Sequence, residues 1–200
     1  NYSRVQNIDS NKVDDFTYTS DFFSIGKRLF YQDLNFEIAK RWTEDLKTNV
    51  SFLTQIYDKD VAENGWAPII GKVTSNIAVF DATYRLSETY ALKVDLEHLW
   101  ATQDSVVKTP DFVNGNWAMG LLELTISPNY YISISDEYNY GNKYAENQVH
   151  YYSGSFAYVT GGTRMQMSYG RQRSGIICVG GVCRYVPASS GLYFTVSTTF

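Results

Sequence analysis

From residue 32 to the C-terminus, apolar and polar side chains alternate in runs of roughly ten residues, each closed by a turn or a loop. In the last run Leu192, Phe194, Val196, Thr198 and Phe200 share one phase, and Tyr193, Thr195, Ser197 and Thr199 share the other. A period of two puts the two sets on opposite sides of a sheet. Residues 90–100 repeat the pattern, with Leu92, Val94, Leu96 and Trp100 set against Lys93, Asp95 and Glu97. Nine strands are predicted: 32–42, 46–57, 73–86, 90–102, 116–126, 130–140, 149–159, 163–173 and 191–200.

The connections alternate as well. Short polar turns (Thr43-Glu44-Asp45, Ser87-Glu88-Thr89, Ser127-Pro128-Asn129 and Thr160-Gly161-Gly162) take turns with the longer segments 58–72, 103–115, 141–148 and 174–190. A soluble sandwich or barrel also alternates, but it favours short loops at both ends. Aromatic residues cluster at strand ends, with Tyr130 and Tyr131 at one end of a strand and Tyr138 and Tyr140 at the other. Their spacing suits the ~25 Å apolar band between the aromatic girdles of a membrane barrel. The expected fold is all-β: a transmembrane, antiparallel, up-and-down β-barrel, with membrane lipid against its apolar face.

An even-numbered bacterial barrel has both termini on the periplasmic side, so nine strands leave residues 1–31 outside the cell. Two readings resolve the odd count. Either a strand is hidden in 1–31, around Phe16–Ile25, or the chain is the C-terminal part of a larger barrel. The second is preferred, with 1–31 as an extracellular loop or continuation and 32–200 as transmembrane strands.

Composition changes little in this picture. The chain is 44% hydrophobic, and no apolar run approaches the ~18 residues of a membrane helix, which a barrel does not need. A net charge of −4 offers no basic footprint for nucleic acid. The opening Asn1-Tyr2-Ser3-Arg4 lacks an initiator Met and an apolar signal core, which reads as a processed or truncated start.

Gly170-Arg171-Gln172-Arg173-Ser174-Gly175, Cys178-Val179-Gly180-Gly181-Val182-Cys183-Arg184 and Val186-Pro187-Ala188-Ser189 form a distinctive C-terminal block. With His98-Leu99-Trp100 and Tyr138-Asn139-Tyr140-Gly141 it resembles a Bacteroidota family of uncharacterised outer-membrane β-barrel proteins. The resemblance implies a barrel in the outer membrane of a Gram-negative bacterium and a longer protein; it implies no activity.

Several residues carry candidate chemistry. Gly180-Gly181 suits a two-residue hairpin turn, which sets Cys178 opposite Cys183 at a separation a disulfide can span. A metal or redox pair is the rival, but zinc needs four ligands and His98 and His150 are remote in sequence. By phase, Glu37, Arg41, Asp81, Arg85, Lys93, Asp95, Glu97, Glu123, Glu137 and Arg164 point into the barrel. They either line a solute path or form a salt-bridge lattice that fills the interior. Phe194, Val196 and Phe200 supply the C-terminal signal read by barrel-insertion machinery. His98 and His150 read as rim residues without a nucleophile, so no enzyme is expected, and no cofactor or metal. Asp58, Asp60 and Glu63 lack calcium-loop spacing and read as a solvated outer loop. Trp66, Ile69, Ile70, Val106, Val107, Phe112, Ile176, Ile177, Val179 and Val182 place apolar groups in the outer loops. Two functions follow as expectations: a porin-like channel for small solutes, or an accessory barrel in a larger outer-membrane assembly.

Overall fold

The computed structural model describes residues 1–8, 11–13, 17–19, 25–63, 71–103, 115–179 and 182–199, with the side chains of 8, 11, 12, 18, 62, 63 and 175–186 left out. Its main element is a single antiparallel sheet of ten strands. In spatial order these are β1 (Tyr2–Ile8), β4 (Ile25–Arg41), β5 (Leu46–Asp58), β6 (Lys72–Arg85), β7 (Tyr90–Gln103), β8 (Trp117–Ile126), β9 (Tyr130–Tyr138), β10 (His150–Thr160), β11 (Thr163–Gln172) and β14 (Ser189–Thr198). Each strand pairs with its neighbour in the chain, apart from two small excursions: the short β2 (Asn11–Lys12) and β3 (Tyr18–Thr19), and the hairpin β12 (Gly175–Val179) and β13 (Val182–Val186). All nine expected strands are present, within a few residues except at the start of β4.

Two expectations are corrected. The sheet has ten strands, because 1–31 contains β1 at Tyr2–Ile8. In the range Phe16–Ile25 expected for a strand, the described residues hold the short β3, paired with β2 outside the main sheet, and the start of β4, while residues 16 and 20–24 lie outside the described residues. And β1 and β14 are the two edges of an open sheet; the ladder does not close into a barrel. The hidden strand has a physical reason. The ladder between β1 and β4 shifts register between Val5 and Gln6 and again between Gln6 and Ile8. Such bulges interrupt the period of two, and β4 opens with adjacent charges (Lys27, Arg28) followed by adjacent aromatics (Phe30, Tyr31). Polar contacts hold β1 instead: the Ser3 hydroxyl donates to Asp33, and the N-terminal ammonium donates to the Asn35 carbonyl at 2.9 Å.

At one end the strands join through tight turns with repeated chemistry. Thr43 Oγ1 accepts from the amides of Asp45 and Leu46 at 3.2 and 3.0 Å, and Ser87 Oγ accepts from Thr89 and Tyr90 at 3.2 and 3.1 Å. Hydroxyl residues favour turns for this reason. Gly161 supplies the positive φ (+56°) that the β10–β11 turn requires. Successive turns are tied together by backbone hydrogen bonds, among them Arg85 N to Asp45 O at 2.9 Å and Val159 N to Asn129 O at 2.8 Å. The opposite end carries the long loops.

The sheet is one layer thick. Ala157, at 1% exposure, is the one buried hydrophobic among the described residues. The surface of 13944 Å² exceeds the roughly 9,600 Å² expected of a compact monomer of this mass. Packing against a second layer, which stabilises soluble β domains, is therefore absent among the described residues.

Candidate functional site

The ladder registers sort the side chains into two faces. One row joins Val50, Phe80, Leu96 and Gly120, and the next joins Val94, Leu122, Ile134 and Gly154. Within the ladder, every strongly exposed apolar residue from Leu34 to Val196 belongs to this face, up to 68% and 69% exposure at Leu192 and Phe194. Aromatic residues border it at both ends. Tyr84, Tyr90 and Tyr130 lie toward the turns, and Trp100, Tyr138 and Tyr152 toward the loops. Ten residues of β7 separate Tyr90 from Trp100; at ~3.3 Å per residue and a tilt of ~40°, they span about 25 Å of height.

Both histidines belong to the loop-end border of the apolar face. His98 Nε2 hydrogen-bonds the Tyr140 hydroxyl at 2.7 Å, and the His98 ring lies 3.9 Å from Trp100. His150 Nδ1 meets Asp136 Oδ2 at 2.6 Å and stacks on Tyr138 at 3.9 Å with a 4° interplanar angle. These contacts place them as the sequence does, at the rim and beside aromatic rings.

The opposite face is polar, and the registers carry all ten sequence-predicted charges onto it. One row runs Arg41, Lys47, Thr83, Lys93, Glu123; the next but one runs Glu37, Ser51, Val79, Glu97, Met119, Glu137. None of the ten is buried. Two of the ion pairs recorded on this face involve them: Lys93 with Asp95 on its own strand at 3.7 Å, and Arg85 with Asp45 of the neighbouring turn at 2.7 Å. Glu37 accepts from Asn49 at 3.0 Å, and Arg164 donates to Gln166 at 3.3 and 3.1 Å. Among the described residues no salt-bridge lattice joins these charges across the strands. Like charges even stand directly opposite one another, Arg41 with Lys47 and Asp81 with Asp95, an arrangement that opposes pairing. Among the described residues no group of three or more His, Cys, Asp or Glu could hold a metal ion, and no helix is long and apolar enough to cross a membrane; neither bears on a strand-built membrane protein.

The acidic stretch after β5 differs from the solvated loop expected. Asp58 and Asp60 are 5% and 2% exposed. Asp58 caps the short helix α1 (Lys59–Glu63), accepting from the Val61 amide at 3.3 Å and from Arg28 Nε at 2.9 Å. Asp60 accepts from the Gly71 amide at 2.8 Å. They pin the loop, because a buried carboxylate is tolerated only when its lone pairs are satisfied. Glu63's side chain lies outside the described residues.

Sequence reasoning missed a cluster at the loop end of the sheet, where Trp117 and Tyr151 stand on the polar face and Arg171 on the apolar phase of β11. Trp117 and Tyr151 stack with centroids 6.0 Å apart and a 24° angle. Arg173 lies 4.9 Å over the Trp117 ring, and Arg171 lies 5.5 Å over Tyr151. These residues come from β8, β10 and the end of β11, too far apart for any local motif. The one available signal was Trp117 itself, a tryptophan on the polar phase of its strand.

These faces and registers join strands from both ends of the chain, and one family model spans all of it. The chain belongs to a family of unknown function (DUF6029), matched over residues 1–200. No curated protein and no solved structure matches it.

The other residues singled out by the sequence fall partly outside what is described. In β12–β13 the register sets Cys178 opposite Cys183, as the Gly-Gly turn implies, while their side chains and Gly180-Gly181 lie outside the described residues. So do Phe200, Trp66, Ile69, Ile70, Val106, Val107 and Phe112, and the side chains of Ile176, Ile177, Val179 and Val182. Phe194 and Val196 sit on the apolar face of the edge strand β14.

Proposed function

We propose that this sheet is the wall of a transmembrane β-barrel in the outer membrane of a Gram-negative bacterium, a member of the Bacteroidota by resemblance, and that it forms a porin-like channel for small solutes. One observation carries the reading. The exposed apolar side chains gather on one face, bordered by aromatics ~25 Å apart, in a chain with a single buried hydrophobic among its described residues. In water such a face is an aggregation liability; in lipid it is the required surface. Edge groups of β1 and β14 then need ladder partners, because hydrocarbon supplies no hydrogen bonds. The turns face the periplasm and the loops face outward. Phe194, Val196 and Phe200 form the edge read by insertion machinery, and Cys178 and Cys183 form a disulfide in the outer hairpin, where the compartment favours it.

Charges on the polar face that are not joined into a cross-strand lattice among the described residues favour a water-filled interior over a plugged one. The open edges favour a second reading, in which partner outer-membrane proteins complete the sheet and the barrel is an accessory subunit. Planar-bilayer conductance of the purified protein separates the two when run beside cross-linking in native membranes. Stable conductance that shifts when Arg85 and Lys93 are neutralised supports the channel. A silent protein in stoichiometric complexes supports the subunit, and one both silent and solitary overturns both.

A further inference from the structure

Two members of this cluster, Trp117 and Arg173, line a cavity of about 430 Å³ at the loop end of the sheet, within the size range of small-ligand sites. We infer that this cavity binds an anionic saccharide, a sugar bearing carboxylate or phosphate, as it enters from the loop side. The inference rests on the reading that the polar face borders water.

Three features carry it. First, Arg173, which lines the cavity, has no hydrogen-bond or ion-pair partner among the described residues; its guanidinium lies 4.9 Å from the centroid of the Trp117 ring. A guanidinium beside a ring keeps its N–H donors, and their planar fork fits a carboxylate or phosphate in bidentate fashion. Among the described residues Glu137, directly opposite Tyr151 in the β9–β10 ladder, makes no recorded ion pair with Arg173. Second, Trp117 and Tyr57 line the cavity and give it aromatic surface beside Arg173, which suits the CH-rich face of a sugar ring. Third, the walls are mixed: Ser75, Thr102 and Gln103 bring hydroxyl and amide groups, matching a ligand rich in hydroxyls better than a bare aromatic acid. Backbone approach shapes the rim. A methyl group on Gly115 would collide with the backbone of Gly141, and both glycines line the cavity.

The test is calorimetric titration of the full chain in detergent micelles with a galacturonate trimer, a neutral trisaccharide of equal length and inorganic phosphate. The acidic trimer should bind at least tenfold more tightly than the neutral one, and phosphate at equal concentration should not displace it. Arg173→Gln should weaken binding about tenfold, the loss of one charge-assisted contact. Arg173→Lys should recover part of that loss, since charge returns without the planar fork. Trp117→Phe, which keeps a ring, should bind more weakly while remaining folded by circular dichroism. Equal affinity for the neutral sugar, full displacement by phosphate, indifference to both positions or no binding at all would each overturn the site. Because binding is read without a membrane, a protein that binds but does not conduct defeats the channel and leaves this site standing. One that conducts without binding does the reverse.

Discussion

The two faces of the sheet are built from the same strands by the same ladder, yet they are organised by different rules. On the apolar face, identity is loose and character mostly apolar: Phe, Leu, Ile, Val, Met and Tyr succeed one another, with polar residues such as Lys40, Thr54, Asn76 and Asp136 as exceptions. On the polar face, character is loose and position matters. Charges of both signs, serines and a few apolar residues share rows, and specific contacts such as Ser133 with Ser155 at 2.7 Å appear between strands. A surface that only has to be apolar tolerates exchange among hydrophobic residues, whereas one that meets water and solutes is set residue by residue. The absence of a packed core among the described residues makes the first rule unusual for a protein in water and ordinary for one in lipid.

The sharpest way to break the comparison is to put the same charge on each face at the same height. Ile134 and Ser135 are consecutive in β9 and face opposite ways. Ile134→Arg should cost about 2–4 kcal/mol of membrane-inserted stability and remove most heat-modifiable protein from the membrane fraction. Ser135→Arg should leave insertion near wild type. Equal damage from both would refute lipid on the apolar face. A companion measurement fixes the direction. A single cysteine at Lys143, on the loop side, should react with an impermeant reagent on intact cells, whereas one at Glu88 should react only after the outer membrane is opened. The reverse pattern would invert the orientation.

A mid-sized effect is expected at the hairpin. If Cys178 and Cys183 are bonded, the intact protein is two mass units lighter than the reduced one. The double Ser variant should lose about 2 kcal/mol locally, the chain-entropy value for so short a loop, visible as faster proteolysis between β12 and β13. Assembly of the sheet should be unchanged, because the ladder and not the hairpin holds the strands. Failure of that variant to assemble would make the hairpin part of the fold.

How much of this was legible in the sequence follows from locality. A period of two is a local signal, and so are short hydroxyl-bearing turns; the nine regular strands, the faces of all ten charges and the register of the cysteine hairpin follow from them. β1 was hidden because bulges break the period and because its grip on β4 is polar. Asp58 and Asp60 looked solvated because their partners, Arg28 and Gly71, lie 30 and 11 residues away. The Arg–aromatic stack escaped for the same reason, since β8, β10 and β11 meet only through the ladder. Closure into a barrel is the least local property of all, and the ten strands here form an open sheet.

The smallest expected effect tests whether the polar face is arranged for stability or for something else. Asp81 and Asp95 face each other directly across β6 and β7, and Lys93 reaches Asp95 from the same strand at a loose 3.7 Å. Among the described residues, Asp95 Oδ1 is buried without a hydrogen-bond partner. Two carboxylates in register repel, so Asp81→Asn should stabilise the folded protein by roughly 0.2–1 kcal/mol, the range of a cross-strand pair. The gain would appear as a small upward shift in the denaturant midpoint, and it should shrink as salt screens the exposed part of the repulsion. In the conductance assay the same variant should weaken the passage of cations relative to anions, since it removes one fixed negative charge from the face. A variant that loses stability would show that Asp81 is satisfied by its neighbours and that the row serves the fold. One that gains stability while ion preference stays fixed would remove Asp81 from the solute path and shift attention to the arginines at the loop end.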